Sequence, residues 1–423
     1  MISRALYTLV LHLLLPLIVL RLMLRARRSP GYLDHVAERF GRYAADAAGD
    51  APLVWVHAVS VGETRAAEPL IRQLLARYPA HRILLTHMTV TGRATSAALF
   101  GSEPRVQRVY LPYDFPWAVR AFLARFRPEL GIIMETELWP NLFAAASRRG
   151  VPLILANARL SEKSARGYRR IAPLVRQALG QLRLVAAQTD QDATRLKALG
   201  ATRVAVLGNL KFDIAPPAPM LALGAALKAR IGERPVLLAA STREGEEALI
   251  LDAAHHLPPE VLLVVVPRHP ERFDEVASAL TARGLAFQRR SHEGPIDVRT
   301  RVLLGDSMGE MFAYYAAADM AFIGGSLAPL GGQNLIEACA VGTPVLVGPH
   351  TFNFEEAARE AIQAGAAERV ATAQALIQRA TELLSSPHAL ARMSEAGRHF
   401  ADTHRGATGR LLDEIRQAAP GPE

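Results

Sequence analysis

Short apolar segments alternate with amphipathic stretches along almost the whole chain. Helical periodicity is clear at residues 63–77, where Ala66, Leu70 and Leu74 recur on one face. Continuous apolar segments are typical of parallel strands covered on both faces, so we predict a doubly wound α/β fold. In the first half we predict strands at residues 53–59, 82–89, 108–112, 129–136, 152–158, 182–188 and 203–209.

The same alternation restarts after residues 215–219, whose sequence APPAP predicts a stiff linker between two domains. We predict a Rossmann-like domain over residues 29–214 and a second over residues 220–423, with the option that the last helix packs back on the first domain. Two such domains would face a cleft, and doubly wound sheets bind ligands beyond the carboxyl ends of their strands. Strands of the second domain are predicted at residues 236–242, 261–267, 302–306, 320–325 and 344–349.

Residues 5–24 form a nearly unbroken aliphatic segment, and about 20 such residues are needed to cross a bilayer. The arginine-rich residues 25–28 follow it, so the positive-inside rule predicts that the rest of the chain is cytoplasmic. We therefore predict that residues 1–28 are a membrane anchor helix. His12 and Pro16 inside the segment leave open whether it spans the bilayer or lies in its interface, and a buried amphipathic helix is the alternative.

The charge of the chain favours anionic partners. A formal net charge of +9 suits nucleic acid, an anionic lipid leaflet or phosphorylated substrates. Aromatic content of only 6%, with no aromatic-rich basic segment, weakens the first option. Cys339 is the single cysteine, which excludes an intramolecular disulfide or a cysteine-based zinc site and fits a reducing compartment. Candidates for contact with a leaflet, each of which could equally belong to a solvated face, are Arg25, Arg27, Arg28, Arg166, Arg169 and Arg170.

The densest chemical signal is the segment GGSLAPLGGQNLIE at residues 324–337. Glycines let a backbone approach an anion closely, and a helix N-terminus supplies unpaired N–H groups. We predict phosphate or nucleoside binding here, with Glu337 placed to accept hydrogen bonds from a ribose. The alternative is an ordinary strand-to-helix turn in which Asn334 caps the helix. The residues assigned to binding in the glycine loop are Gly324, Gly325 and Ser326.

Other predicted strands of the second domain also end in polar residues. Ser241 and Thr242 supply hydroxyls before a carboxylate-rich segment, which a simple capping box would also explain. The Arg268 guanidinium matches a phosphate with two parallel donors, whereas the neighbouring His269 could as well be structural. The segment GDSMGE at residues 305–310 ends a further strand, where backbone groups could contact a base.

Seven motifs, in this order, resemble those of the Kdo transferases of lipopolysaccharide synthesis. That family consists of metal-independent enzymes with the two-domain GT-B glycosyltransferase fold. The resemblance implies transfer of Kdo from the donor CMP-Kdo to a lipid A precursor, lipid IVA, on the cytoplasmic side of a bacterial inner membrane. It implies no cofactor, no metal and no nucleic-acid partner. The motifs are HAVSVGET (57–64), METELWPN (134–141), ANARLS (156–161), LKFD (210–213), PRHPERF (267–273), the glycine loop and GPHTFNF (348–354).

The resemblance also implies roles for individual residues. Glu63 matches the general base of the family, and Glu135 and Lys211 match positions that assist the transition state. Three substitutions depart from the usual motifs, namely Arg243 for His, Ser307 for Thr and Gln333 for His. The first of these puts a chemical role for that histidine in doubt. Residues that match the CMP site are Pro267, Arg268, Met308, Gly309, Glu310, Asn334, Leu335, Ile336 and Glu337.

Elementary chemistry supports part of this assignment. Attack by a sugar hydroxyl needs a base within hydrogen-bond reach, and Glu63 follows a strand and a glycine at the start of a helix. The alternative is that Glu63 only caps its own helix. Glu135 and Glu137 flank Thr136 at the end of a strand, and we expect them to point to opposite faces, one in the site and one structural. Lys211 could neutralise charge on the departing CMP phosphate.

Other interpretations remain open at this level. Residues 190–192 spell the DxD motif of metal-dependent transferases, but capping of the following helix by Thr189 or Asp190 is the simpler explanation. The alternative enzyme is a diphosphate-sugar transferase or an epimerase of the same fold. A membrane-tethered scaffold that binds anionic lipid or RNA is the alternative outside enzymes.

Overall fold

The computed structural model describes residues 3–28, 30–44 and 51–418. The chain divides into two compact units. Unit 1 comprises the residues up to Asp213 together with those from Gly406 onward, and unit 2 comprises Ile214–Arg405. Two 3₁₀ turns, at Pro30–Tyr32 and Val36–Phe40, follow the N-terminal segment.

Unit 1 contains a parallel sheet of seven strands in the order β3-β2-β1-β4-β5-β6-β7. Its strands are β1 Leu53–His57, β2 Arg82–His87, β3 Val106–Tyr110, β4 Leu130–Met134, β5 Leu153–Ala158, β6 Leu184–Ala187 and β7 Val204–Val206. Its helices up to this point are α1 Arg4–Leu13, α2 Leu15–Arg28, α3 Val61–Arg77, α4 Val90–Phe100, α5 Pro116–Phe126, α6 Pro140–Arg148, α7 Glu162–Arg169, α8 Ala172–Leu179 and α9 Asp190–Ala198.

Unit 2 repeats the architecture, with the strand order β10-β11-β9-β8-β12-β13-β14. Its strands are β8 Val236–Thr242, β9 Leu262–Pro267, β10 Phe287–Arg289, β11 Val302–Leu304, β12 Met320–Ile323, β13 Val345–Val347 and β14 Ala367–Arg369. Its helices are α10 Ala218–Ile231, α11 Glu246–Ala253, α12 Phe273–Ala282, α13 Met311–Ala317, α14 Ile336–Val341, α15 Glu355–Gln363, α16 Ala373–Leu384 and α17 Pro387–His404.

In the strands of unit 1, successive side chains pack into two different hydrophobic cores, one on each face of the sheet. Trp55 belongs to the cluster on one face of the sheet, whereas Val54 and Val56 belong to the cluster on the other face. Every residue of β1 is buried, as the continuous apolar sequence predicts for a strand covered on both sides. The predicted fold class, two doubly wound parallel α/β domains, is confirmed.

The last helix, α18 Ala407–Ala418, lies in unit 1 although unit 2 precedes it in the chain. Its apolar face, including Leu411 and Ile415, joins the same core as Val54. The Asp213 carboxylate accepts hydrogen bonds from the N–H groups of Gly406 and Thr408. Asp213 is the last residue before unit 2 and Gly406 is the first residue after it, so these bonds join the two points where the chain leaves and re-enters unit 1.

The N-terminal segment is not the single helix that its apolar sequence predicts. It forms α1 and α2, which are bent by 54° at Leu14. Pro16 explains the break, because it has no N–H to donate to the carbonyl one turn earlier. In the part of the chain described, no single helix is long and apolar enough to cross a membrane, although the bent pair together meets that length and composition.

Candidate active site

A carboxylate is fixed at the carboxyl end of β1 by a capping box. Ser60 is the N-cap of α3, and its hydroxyl donates to Glu63 Oε1 at 2.9 Å. The backbone N–H of Val59 donates to Glu63 Oε2 at 2.8 Å. The capping role considered as an alternative for Glu63 is therefore real. It is also compatible with chemistry, because the two hydrogen bonds hold the carboxyl in one orientation.

The loop that holds Glu63 is itself clamped by the loop after β2. The Val59 carbonyl accepts from the Thr89 hydroxyl at 2.8 Å and from the backbone N–H of Thr89 at 3.3 Å. A Cβ on Gly92 would lie 2.9 Å from the same carbonyl oxygen, so the close approach of the two loops requires glycine there. Thr89 thus supports Glu63 through the backbone of Val59, whose carbonyl bonds to Thr89 and whose N–H bonds to Glu63.

Burial raises the pKa of Glu63 to about 7. The hydrogen bonds from Val59 and Ser60 act in the opposite direction, while the nearby carboxylates of Glu135 and Glu137 add to the increase. The Glu63 side chain is only 8% exposed, which explains why the loss of hydration dominates. A carboxyl group with a pKa near neutrality can take up a proton during a reaction and release it afterwards.

Glu135 and Glu137 both lie near Glu63, and the strand alternation behind the expectation of opposite faces does not apply here. Both carboxylates raise the pKa of Glu63, so all three groups lie in one region. The strand β4 ends at Met134, and Glu135 has a left-handed backbone with φ of 56°, so strand alternation no longer applies. Residues two apart in a strand would in any case share a face. Burial raises the pKa of Glu137, and the charge of Glu135 raises it further.

Lys211 completes this group from the short turn that follows β7. Its ammonium Nζ lies 3.4 Å from Glu135 Oε1. The short 3₁₀ turn Leu210–Phe212 that carries it is held by Asn157, whose Oδ1 accepts from the Leu210 N–H at 3.0 Å. The structure therefore brings together Glu63, Glu135, Glu137 and Lys211. The sequence analysis assigned no role to Asn157, although this residue lies in the ANARLS motif. Its backbone is left-handed, with φ of 55°.

The residues predicted in unit 2 meet along one edge of its sheet. Strands β11, β9, β8 and β12 are neighbours in that order, and their carboxyl ends carry the predicted segments. Pro267 is the last residue of β9, and the N–H of Arg268 donates to the Thr242 carbonyl at 2.9 Å at the end of β8. Thr242 is buried and its hydroxyl donates to Glu247 at 2.9 Å, so it is structural. Ser241 and His269 are half-buried beside them.

The segment after β11 is tied to the neighbouring helix. The Ser307 hydroxyl donates to Glu310 Oε2 at 2.7 Å, and Arg290 lies 3.4 Å from the same oxygen. Met308 is 54% exposed, and Gly309 has φ of 81°, which turns the chain outward. Met308 is therefore not part of the core, and the Met308–Gly309 backbone is accessible to a ligand.

The glycine loop does not have the expected unoccupied cradle. Glu246 at the start of α11 reaches into it and accepts hydrogen bonds from the N–H groups of Gly325 and Leu327, the latter at 2.8 Å. Ser326 is buried, and its hydroxyl accepts from the Gly348 N–H at 2.8 Å. The interpretation of Gly325 and Ser326 as direct phosphate donors therefore needs correction, because these groups already serve the fold.

Asn334 does cap the following helix, as the alternative interpretation held. Its Oδ1 accepts from the Ile336 N–H at 3.0 Å, and its Nδ2 donates to Glu337 Oε1 at 3.2 Å. Leu335 and Ile336 are buried, so only their backbone groups could face a ligand. Asn334 and Glu337 are both half-buried at the same edge as Arg268.

The DxD segment is a helix cap. Thr189 is the N-cap of α9, and the Asp192 carboxylate accepts from the Leu160 N–H at 2.7 Å. Within residues 3–28, 30–44 and 51–418, no three His, Cys, Asp or Glu side chains are grouped so that they could hold a metal ion.

Comparison with known protein families first gives the class of protein to which this chain belongs. Residues 249–400 match the family model of glycosyl transferases group 1, and residues 34–214 match the model of 3-deoxy-D-manno-octulosonic-acid transferase (kdotransferase). The chain is thus a glycosyltransferase with two recognisable domains.

Full-length relatives then give the family. The chain is 51% identical to a 3-deoxy-D-manno-octulosonic acid transferase of Bordetella pertussis, over 98% of this chain and 99% of that protein. It is 39% identical to the transferase of the same name from Haemophilus influenzae, over 98% of both chains. This chain belongs to the 3-deoxy-D-manno-octulosonic acid (Kdo) transferase family.

A solved structure shows the same fold at low identity. The UDP-GlcNAc 2-epimerase of Neisseria meningitidis bound to UDP-GlcNAc has a TM-score of 0.58 and 16% identity, over 86% of this chain and all of that chain. At this identity the likeness shows the fold alone.

Proposed function

We propose that this protein transfers Kdo from CMP-Kdo to a lipid A precursor, lipid IVA, with Glu63 as the general base. The observation that carries the proposal is the Glu63 carboxyl, which is oriented by two hydrogen bonds and has a pKa of about 7. A base works best when its pKa lies near the operating pH.

In the proposed reaction an acceptor hydroxyl attacks the anomeric carbon of Kdo. Glu63 takes the hydroxyl proton as the new glycosidic bond forms. The bond between the anomeric carbon and the phosphate oxygen breaks, and its electron pair leaves with CMP. Lys211, held against Glu135, contributes positive charge to the site as negative charge develops on the leaving group.

Unit 2 would hold the donor. The Arg268 guanidinium is suited to a phosphate, and the accessible Met308–Gly309 backbone is suited to the edge of a cytosine. Glu337, oriented by Asn334, would accept hydrogen bonds from the ribose. A monophosphate leaving group carries less charge than a diphosphate, so we expect the reaction to proceed without a metal or other cofactor.

The N-terminal helices would associate with the cytoplasmic face of the inner membrane. Leu9, Leu13, Leu17 and Met23 are each more than half exposed, which is costly in water but favourable in a lipid interface. Helix α1 is docked on unit 1 by a hydrogen bond of 3.0 Å between the Thr8 hydroxyl and Asn141 Oδ1. Arg25 and Arg27 at the end of α2 would face anionic headgroups.

The test uses the full chain in detergent with labelled CMP-Kdo, lipid IVA and EDTA. The proposal expects a labelled glycolipid, inhibition by CMP and none by UDP. The rival interpretation, a diphosphate-sugar transferase or epimerase of the same fold, expects UDP to compete and UDP-GlcNAc to be consumed. Absence of transfer by well-folded protein in detergent, with or without added Mg²⁺, would contradict the proposal.

A further inference from the structure

A fully buried carboxylate occupies the glycine loop of unit 2. Glu246 has no exposed surface, and its Oε2 accepts from the N–H groups of Arg243, at 3.0 Å, and Gly325. Its Oε1 accepts from Leu327 at 2.8 Å and from Ala328 at 3.3 Å. Four backbone N–H groups from two different loops therefore converge on one side-chain anion.

All four of these hydrogen bonds to Glu246 come from backbone N–H groups. Arg243 and Arg272 pair with other carboxylates, Arg243 with Glu244 at 3.1 Å and Arg272 with Glu247 at 3.0 Å. Converging N–H groups at a glycine turn are a general binding site for anions such as phosphate. Here the chain supplies the anion itself.

The occupied loop lies next to the residue suited to a phosphate. The peptide group between Thr242 and Arg243 connects the two: its carbonyl accepts from the Arg268 N–H, and its own N–H donates to Glu246. A phosphate bound beside the Arg268 backbone would therefore have the Glu246 carboxylate as a near neighbour. A second phosphate in that direction would meet a like charge, and would find the loop N–H groups already engaged.

We propose that Glu246 is a specificity-determining residue, which limits the unit 2 site to one phosphate and so selects nucleoside monophosphates over diphosphates. The inference rests on the donor site of the proposed function. It gives a structural reason why this chain would use a sugar that is activated by a monophosphate. Like charges placed side by side in a poorly hydrated site disfavour the wrong ligand strongly.

The experiment measures the affinity of the full chain for CMP and for CDP by calorimetry without divalent cations. Wild type should bind CDP at least about tenfold more weakly than CMP, which corresponds to 1.4 kcal/mol. In Glu246→Gln the side-chain charge is removed, and the ratio of the two affinities should move towards one by about tenfold. Glu247→Gln is the matched control, because Glu247 is equally buried but bonds to Thr242 and Arg272 rather than to the loop. Its ratio should equal that of wild type.

The outcomes distinguish a failure of this inference from a failure of the proposed function on which it rests. If wild type binds no CMP, the donor site itself is wrong and the inference falls with it. If wild type binds CMP but Glu246→Gln keeps the same ratio, or loses both ligands in proportion, Glu246 is only a structural support and the inference alone is overturned. Should Glu246→Gln not fold, the wild-type ratio still decides, because CDP binding as tight as CMP binding would refute the proposal.

Discussion

Replacing Glu63 by glutamine should stabilise unit 1 above neutral pH while removing the proposed base. Burial raises the Glu63 pKa from its usual value of 4.5 to about 7. Between these values the folded protein holds a proton that the unfolded chain releases, so the stability of wild type falls as pH rises through this window. Glutamine never ionises, so Glu63→Gln escapes that loss.

The size of the effect follows from the shift. A difference of about 2.5 pKa units corresponds to roughly 3 kcal/mol between the two protonation states. The gain of Glu63→Gln over wild type should be smallest near pH 4.5 and should level off above pH 7. The pKa of about 7 already includes the effect of the Val59 and Ser60 hydrogen bonds. These bonds lower the pKa of Glu63 and so oppose the effect of burial.

Urea denaturation followed by tryptophan fluorescence measures this quantity for the relevant unit. The three tryptophans, Trp55, Trp117 and Trp139, all lie in unit 1. Glu68→Gln on the same helix is the control, because Glu68 is more exposed than Glu63 and is paired with Arg72 at 2.8 Å. A difference between Glu63→Gln and wild type that stays constant from pH 4.5 to 8.5 would refute the raised pKa.

Three further substitutions test the supports of the site. Thr89→Val removes the hydroxyl that bonds to the Val59 carbonyl, and should lower kcat by about tenfold with KM for the donor unchanged. The control is Thr95→Val, because the Thr95 hydroxyl bonds only within its own helix, and this variant should keep the kcat of wild type. An equal loss in both would show a general effect on α4. Lys211→Met should lower kcat by about 10² to 10³, with Lys197→Met as control, and a loss below about threefold would exclude the electrostatic role. Asn157→Ala leaves the Leu210 N–H without its acceptor and should reduce the free energy of unfolding by about 1–3 kcal/mol in urea, whereas no loss would show that the turn has other support.

The fold could be predicted because its strands carry their own signal. Strands such as β1 and β9 are buried on both faces, so their sequences are continuously apolar. The sequence analysis predicted neither β10 nor β14. Each has only three residues and is partly exposed, so neither shows a continuous apolar run. Both are edge strands of their sheet, where one side has no partner strand.

The parts of the site that the sequence misjudged depend on contacts between distant residues. The role of Glu246 requires loops about 80 positions apart to meet, so a local pattern shows only a carboxylate at a helix start. The grouping of Glu135 with Glu137 depends on where β4 ends and on one left-handed residue. Asn157 bonds to the Leu210 N–H, 53 positions away, and so supports the turn that carries Lys211. Motif resemblance indicated the chemical residues, whereas their supports became visible only in three dimensions.

The most direct test of the account is the single-turnover rate of Kdo transfer from CMP-Kdo to lipid IVA at pH 8. Wild type and Glu63→Gln are compared at equal occupancy by the donor, with CMP affinity and the urea midpoint as checks of the fold. The account predicts that Glu63→Gln binds CMP like wild type, is at least as stable, and transfers Kdo about 10² to 10⁴ times more slowly. A rate within threefold of wild type would contradict the assignment of Glu63 as the base.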